Sequence, residues 1–121
     1  MAKQIKSGAG WRLGWSTEPI PFQGLVGTDD WAIELTAAEL EDFCRLALQL
    51  SQTMEQMQTE LMDEERLSCE AESDRLWMEV EGFPQAYRLR LILLSGRRAE
   101  GEWPEAVIPA LLQAIQTLKV F

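Results

Sequence analysis

The chain has 121 residues, 46% hydrophobic and 26% charged, which is the balance of a single globular domain with its own core and argues against disorder. Twenty acids stand against 11 bases, and the formal charge of −9 sets up a field that repels nucleic acid and anionic membrane surfaces. Histidine is absent, which removes the usual general base and the commonest zinc ligand, and two cysteines are too few for a disulfide scaffold.

In chain order, Met1 to Gly10 carries lysines with no apolar run of signal-peptide length behind them, and no stretch reaches the ~18 apolar residues of a membrane span. With two free thiols, this predicts a cytoplasmic protein. Gly8-Ala9-Gly10 is read as following no strand and opening no helix, so it is no phosphate loop. Trp11, Leu13 and Trp15 alternate with Arg12 and Gly14 as one face of a strand. Pro19 and Pro21 break the pattern, Phe22 to Val26 resumes it, and Gly27-Thr28-Asp29-Asp30 is a turn.

Trp31, Ile33 and Leu35 alternate as a half-buried strand that runs straight into a helix. Thr36 and Glu39 have capping-box spacing, in which hydroxyl and carboxylate each accept an orphan amide of the first turn. Leu40, Phe43, Ala47, Leu50, Met54, Met57 and Leu61 then recur every three or four residues, on one stripe of a helix about 25 residues and roughly 38 Å long. The stripe is expected to pack on a sheet face holding Ile33, Leu89 and Leu91. The same length overruns a sheet built from short strands, which predicts a homodimer through Met54, Met57 and Leu61.

Beyond an acidic bend at Asp63-Glu64-Glu65, three strands form a meander: Leu67 to Glu72, Leu76 to Glu81 and Tyr87 to Leu94. Its outer face brings Glu79 and Glu81 against Arg88 and Arg90 as a solvated charge ladder. Gly96 to Glu102 reads as a loop, and a second helix runs from about Trp103 to Leu118, with Pro109 either kinking it or marking its start. The predicted class is α+β, an antiparallel sheet with two helices, strands then helix repeated twice, in one domain spanning 1–121.

The chemistry-bearing signatures are missing: no glycine-rich phosphate loop, no nucleophile elbow, no cysteines at zinc spacing. The expectation is a protein that is not an enzyme and holds no catalytic residue, no metal and no cofactor. Lys3, Lys6, Trp11, Arg12, Trp15, Arg88, Arg90, Arg97 and Arg98 combine cations with flat rings, the ingredients of single-strand binding, and are the candidate nucleic-acid contacts. Net charge opposes that use. A protein partner at the acidic helix end and sheet, or a small molecule held between sheet and helix near Met54, Met57 and Met62, are the alternatives.

Gly10-Trp11-Arg12-Leu13-Gly14-Trp15, the run Trp31-Ala32-Ile33-Glu34-Leu35-Thr36 and the Glu102-Trp103-Pro104 sequence together resemble an uncharacterised cyanobacterial domain-of-unknown-function family of this length. That resemblance implies a fold similar to the whirly-type single-stranded-DNA-binding transcriptional regulators, in which strands followed by a long helix occur twice. Such a fold would make the chain a small binding or regulatory module.

Overall fold

Four strands and a helix, then four strands and a helix, make up the computed structural model, which describes residues 3–60 and 65–118. The first sheet is β1 (Lys3–Gly8), β2 (Trp11–Ser16), β3 (Gly24–Gly27) and β4 (Ala32–Leu35), and α1 (Ala37–Glu60) follows. The second is β5 (Leu67–Glu72), β6 (Leu76–Phe83), β7 (Ala86–Leu93) and β8 (Glu100–Trp103), followed by a 3-10 turn (Glu105–Val107) and α2 (Ile108–Thr117). Both sheets are antiparallel meanders in sequence order. The class is α+β with two helices, and the single expected sheet is in fact two four-stranded sheets.

The extra sheet comes from two strands that carry little sequence signal. β1 reads Lys-Gln-Ile-Lys-Ser-Gly and has one apolar side chain, Ile5, which is exposed at the sheet edge. Ala9-Gly10 joins it to β2 as a two-residue hairpin in which Gly10 takes φ 85, a conformation only glycine enters without strain. The glycine pair therefore does follow a strand, but it leads into another. β8 reads Glu-Gly-Glu-Trp, where Glu100 and Glu102 pair in register with Ile92 and Arg90. Trp103 thus ends a strand instead of opening a helix. Pro109 lies in the first turn of α2, where a missing amide costs nothing, so it marks the start and makes no kink.

At the start of α1 both arms of the capping box form. The Glu39 amide donates to Thr36 Oγ1 at 3.2 Å, and the Thr36 amide donates to Glu39 Oε1 at 2.8 Å. Leu40, Phe43, Ala47, Leu50 and Met54 are then buried in one cluster with Leu13, Val26 and Ile33 of the first sheet and with Leu76, Met78, Val80, Leu89, Leu91 and Leu93 of the second. Each fully buried Leu or Phe contributes about 1.5 to 3 kcal/mol, so this stripe holds both sheets to one helix. Met54 is fully buried within the single chain, with its sulfur 4.0 Å from Cys69 Sγ on β5; the meander folds back over it. Met57 is half-buried, while Leu61 and the bend at Asp63-Glu64 lie outside the described residues.

The two sheets meet at Trp103. Its indole Nε1 donates to the Gly27 carbonyl at 2.9 Å, and its ring lies 5.0 Å from Trp31 and 5.7 Å from Phe43, centroid to centroid. Gly101 is required at this junction because the Trp31 ring occupies the place a Cβ would take.

Candidate functional site

Period-two alternation puts the apolar residues of β6 and β7 inward and leaves the charged ones on an outer face whose rows are set by strand register. One row runs Glu70, Glu79, Arg90, Glu102, and the next Ser68, Glu81, Arg88. Arg88 donates through Nε to Glu81 at 3.1 Å, pairs with Glu102, and lies 3.8 Å from Glu79. Arg90 spans Glu79 at 4.0 Å and Glu100 at 3.7 Å, with its guanidinium 5.6 Å from the centre of the Trp77 ring. Arg66 donates through Nε to the far oxygen of Glu81 at 3.0 Å and lies over Phe83. The ladder read from sequence is thus present and is widened by Glu100 and Glu102 of the unforeseen strand.

Its electrostatics are those of satisfied pairs. Hydrogen bonds from Arg66 and then Arg88 hold the Glu81 carboxyl below its ordinary range. For Arg88, slight burial pulls the pKa down, but the bond to Glu81 and the charge of Glu102 outweigh it and the net direction is up. Exposure keeps each pair worth little in stability. The balance matters more: among the described residues, Glu70, Glu72, Glu79, Glu81, Glu100 and Glu102 share this face with only Arg66, Arg88 and Arg90, so the surface is acidic with its cations already engaged.

The basic and aromatic candidates fall in three places. Arg88 and Arg90 are in the ladder. Lys3, Lys6, Trp11, Arg12 and Trp15 are on the first two strands of the other sheet, where Trp11 and Trp15 share the core-facing side with Leu13 and Lys6, opposite Arg12. Lys6 borders a groove between β1, Trp11 and the Ala110–Thr117 side of α2. Arg12 donates to the carbonyls of Thr28 at 2.6 Å and Trp31 at 2.9 Å, closing the β3–β4 turn. Arg97 and Arg98 occupy the β7–β8 turn. Arg97 pairs with Glu39, donates to the Glu34 carbonyl at 2.6 Å and lies 4.4 Å from the Phe22 ring centre; Arg98 sits at φ 46 beside Ile92, Leu94 and Glu100.

Sequence reading missed Asp42, whose buried carboxylate accepts from Ser73 Oγ at 2.7 Å and from Arg75 and Arg45 at 3.2 Å each. Burial raises its pKa, but the three donors outweigh that and the net direction is down. Its contribution to stability is therefore full above the ordinary aspartate range and lost as pH falls through the depressed value. The group ties α1 to the β5–β6 turn. No single-sequence pattern marks the tie, because Ser73 and Arg75 are more than 30 residues away and only Arg45 is a near neighbour on the helix. Burial pushes the Cys44 thiol up to about 12, which makes it a poor nucleophile. On the outer side of the first sheet, Ile5, Gly14, Ile20, Phe22 and Leu25 line a groove of about 180 Å³. Among the described residues, no group of three or more His, Cys, Asp or Glu is placed to hold a metal ion, and no helix is long and apolar enough to cross a membrane.

Comparison with known proteins places this architecture. No curated protein matches the sequence. A crystal structure of a protein with unknown function from the DUF155 family of the cyanobacterium Prochlorococcus sp. NATL2A superposes with a TM-score of 0.89 at 28% identity, over 96% of this chain and 98% of that one. The family described as "Domain of unknown function (DUF1818)" matches residues 6–118, nearly the whole of both sheets and both helices, and the chain belongs to that family.

Proposed function

We propose that the chain is a non-enzymatic, cytoplasmic binding module of whirly-like architecture whose acidic outer sheet face takes a protein partner. The observation that carries this is the ladder: Arg88 and Arg90, the cations a phosphate backbone would need, are each already shared between two or three carboxylates. A phosphate would have to displace them against a surrounding excess of negative charge. Catalysis has equally little to work with, since histidine is absent, Cys44 is held protonated and Glu81 is held ionised, far from an acid–base role at neutral pH.

The second reading, binding of single-stranded nucleic acid, draws on the order of four strands and a helix occurring twice, which fits the whirly-type regulators. Fluorescence anisotropy with labelled single-stranded oligonucleotides at ~0.15 M salt separates the two. The protein-binding reading expects no submicromolar affinity. Submicromolar binding that falls steeply with added salt would favour the regulator reading.

The homodimer expected at the far end of α1 belongs to the same proposal, and its reachable residue there is Met57, because Met54 is already covered. Sedimentation equilibrium at micromolar concentration is expected to give a dimer mass that Met57→Glu reduces to the monomer. A monomeric native mass, or a dimer indifferent to the new charge, removes the interface from this helix.

A further inference from the structure

β5 is an edge strand: it pairs with β6 on one side and, among the described residues, with no strand on the other. Its inward row, Leu67, Cys69 and Ala71, is only half-buried, whereas Leu76, Met78 and Val80, the inward row of β6, are fully buried. Its outward row, Ser68, Glu70 and Glu72, is exposed. Among the described residues Glu70 and Glu72 have neither an ion pair nor a side-chain hydrogen bond, unlike Glu79, Glu81, Glu100 and Glu102 in the same face. Glu70 also stands directly opposite Glu79, and like charges in that position repel.

We propose that β5 is the docking edge for an extended segment of a protein partner in which basic and apolar residues alternate. An added strand pairs its backbone with the open edge, and residues directly opposite one another share a face. Lysines or arginines would then lie against Ser68, Glu70 and Glu72, supplying the countercharge that Glu70 and Glu72 lack. The intervening apolar residues would lie beside Leu67, Cys69 and Ala71 and complete the cover over α1. A second copy of β5 is the wrong occupant, because antiparallel pairing would add glutamates to a row already short of cations. The inference rests on the protein-binding reading above and gives that partner its chemistry.

The test uses a labelled, capped heptapeptide of alternating Lys and Val, beginning and ending on Lys, and a block isomer with the lysines first and the valines last. Anisotropy at ~0.15 M salt should show the alternating peptide binding about tenfold tighter than its isomer, because only the alternating order places charge and apolar side chains on opposite faces. Amide hydrogen exchange across Leu67–Glu72 of the native chain should slow when that peptide is bound. In the Glu70→Lys, Glu72→Lys double variant, whose changes lie at exposed positions, affinity should fall about tenfold and preference should pass to an alternating Glu and Val peptide. Equal binding of the two isomers, unchanged exchange in β5, or a charge-reversed variant that keeps its preference would each overturn the proposal. If that happens while oligonucleotides also fail to bind, the protein-binding reading stands without this edge; if oligonucleotides bind tightly, both fall.

Discussion

Replacing Trp103 with Ala should destabilise the fold by about 3 to 5 kcal/mol through lost packing alone. A further ~1 to 3 kcal/mol should follow from leaving the buried Gly27 carbonyl without its donor. The side chain is fully buried, touches Phe43 of α1 and Trp31 before β4, and donates across from the last strand of one sheet to the third strand of the other. Set against a total stability of ~5 to 15 kcal/mol for a domain, the loss is large enough to move the urea midpoint well toward zero. Trp103→Phe separates the two terms: it keeps much of the ring contact and removes the N–H, so it should cost the smaller figure. A Trp103→Ala midpoint within ~1 kcal/mol of the native one would show that the sheets are held together elsewhere.

Phe43→Ala is expected to cost about 3 to 5 kcal/mol, again by equilibrium denaturation. Phe43 is fully buried on the helix stripe, within the cluster that draws on both sheets, and its ring lies at a 48° tilt to Trp103. The two positions share one packing volume, so the double variant should fall short of the sum by about 0.5 to 3 kcal/mol. A single-site loss under ~1 kcal/mol would place Phe43 outside the core, and strict additivity would contradict the contact with Trp103.

What could be read from the sequence was local and periodic. The start of α1 was legible because Thr36 and Glu39 hold one another across three residues, and the meander was legible because Leu76, Met78 and Val80 and then Leu89, Leu91 and Leu93 alternate with charges. β1 and β8 escaped because edge strands bury little and are made of charged and small residues, the composition of a loop. Missing them turned two sheets into one and put Trp103 in a helix. Of the candidate site, Arg88 and Arg90 could be matched to Glu79 and Glu81 by register alone. The bonds of Arg12 to the β3–β4 turn and of Arg97 to Glu34 and Glu39 could not, since they depend on how distant loops approach one another. The same holds for Met54, which periodicity placed on the stripe but could not show to be covered by Cys69.

The ladder's role is tested most directly by titrating a labelled single-stranded oligonucleotide into the native chain and into a Glu79→Gln, Glu81→Gln, Glu102→Gln variant. These changes unhook Arg88 from its three carboxylates and leave Arg90 only Glu100, at exposed or half-buried positions where solvent screening leaves each pair worth little to the fold. If the carboxylates are what keep phosphate away, the native chain shows no submicromolar binding at ~0.15 M salt, and the variant binds at least about tenfold tighter with an affinity that falls as salt rises. Tight, salt-sensitive binding by the native chain, unchanged in the variant, would contradict the acidic-face reading and place the nucleic-acid site elsewhere on the molecule.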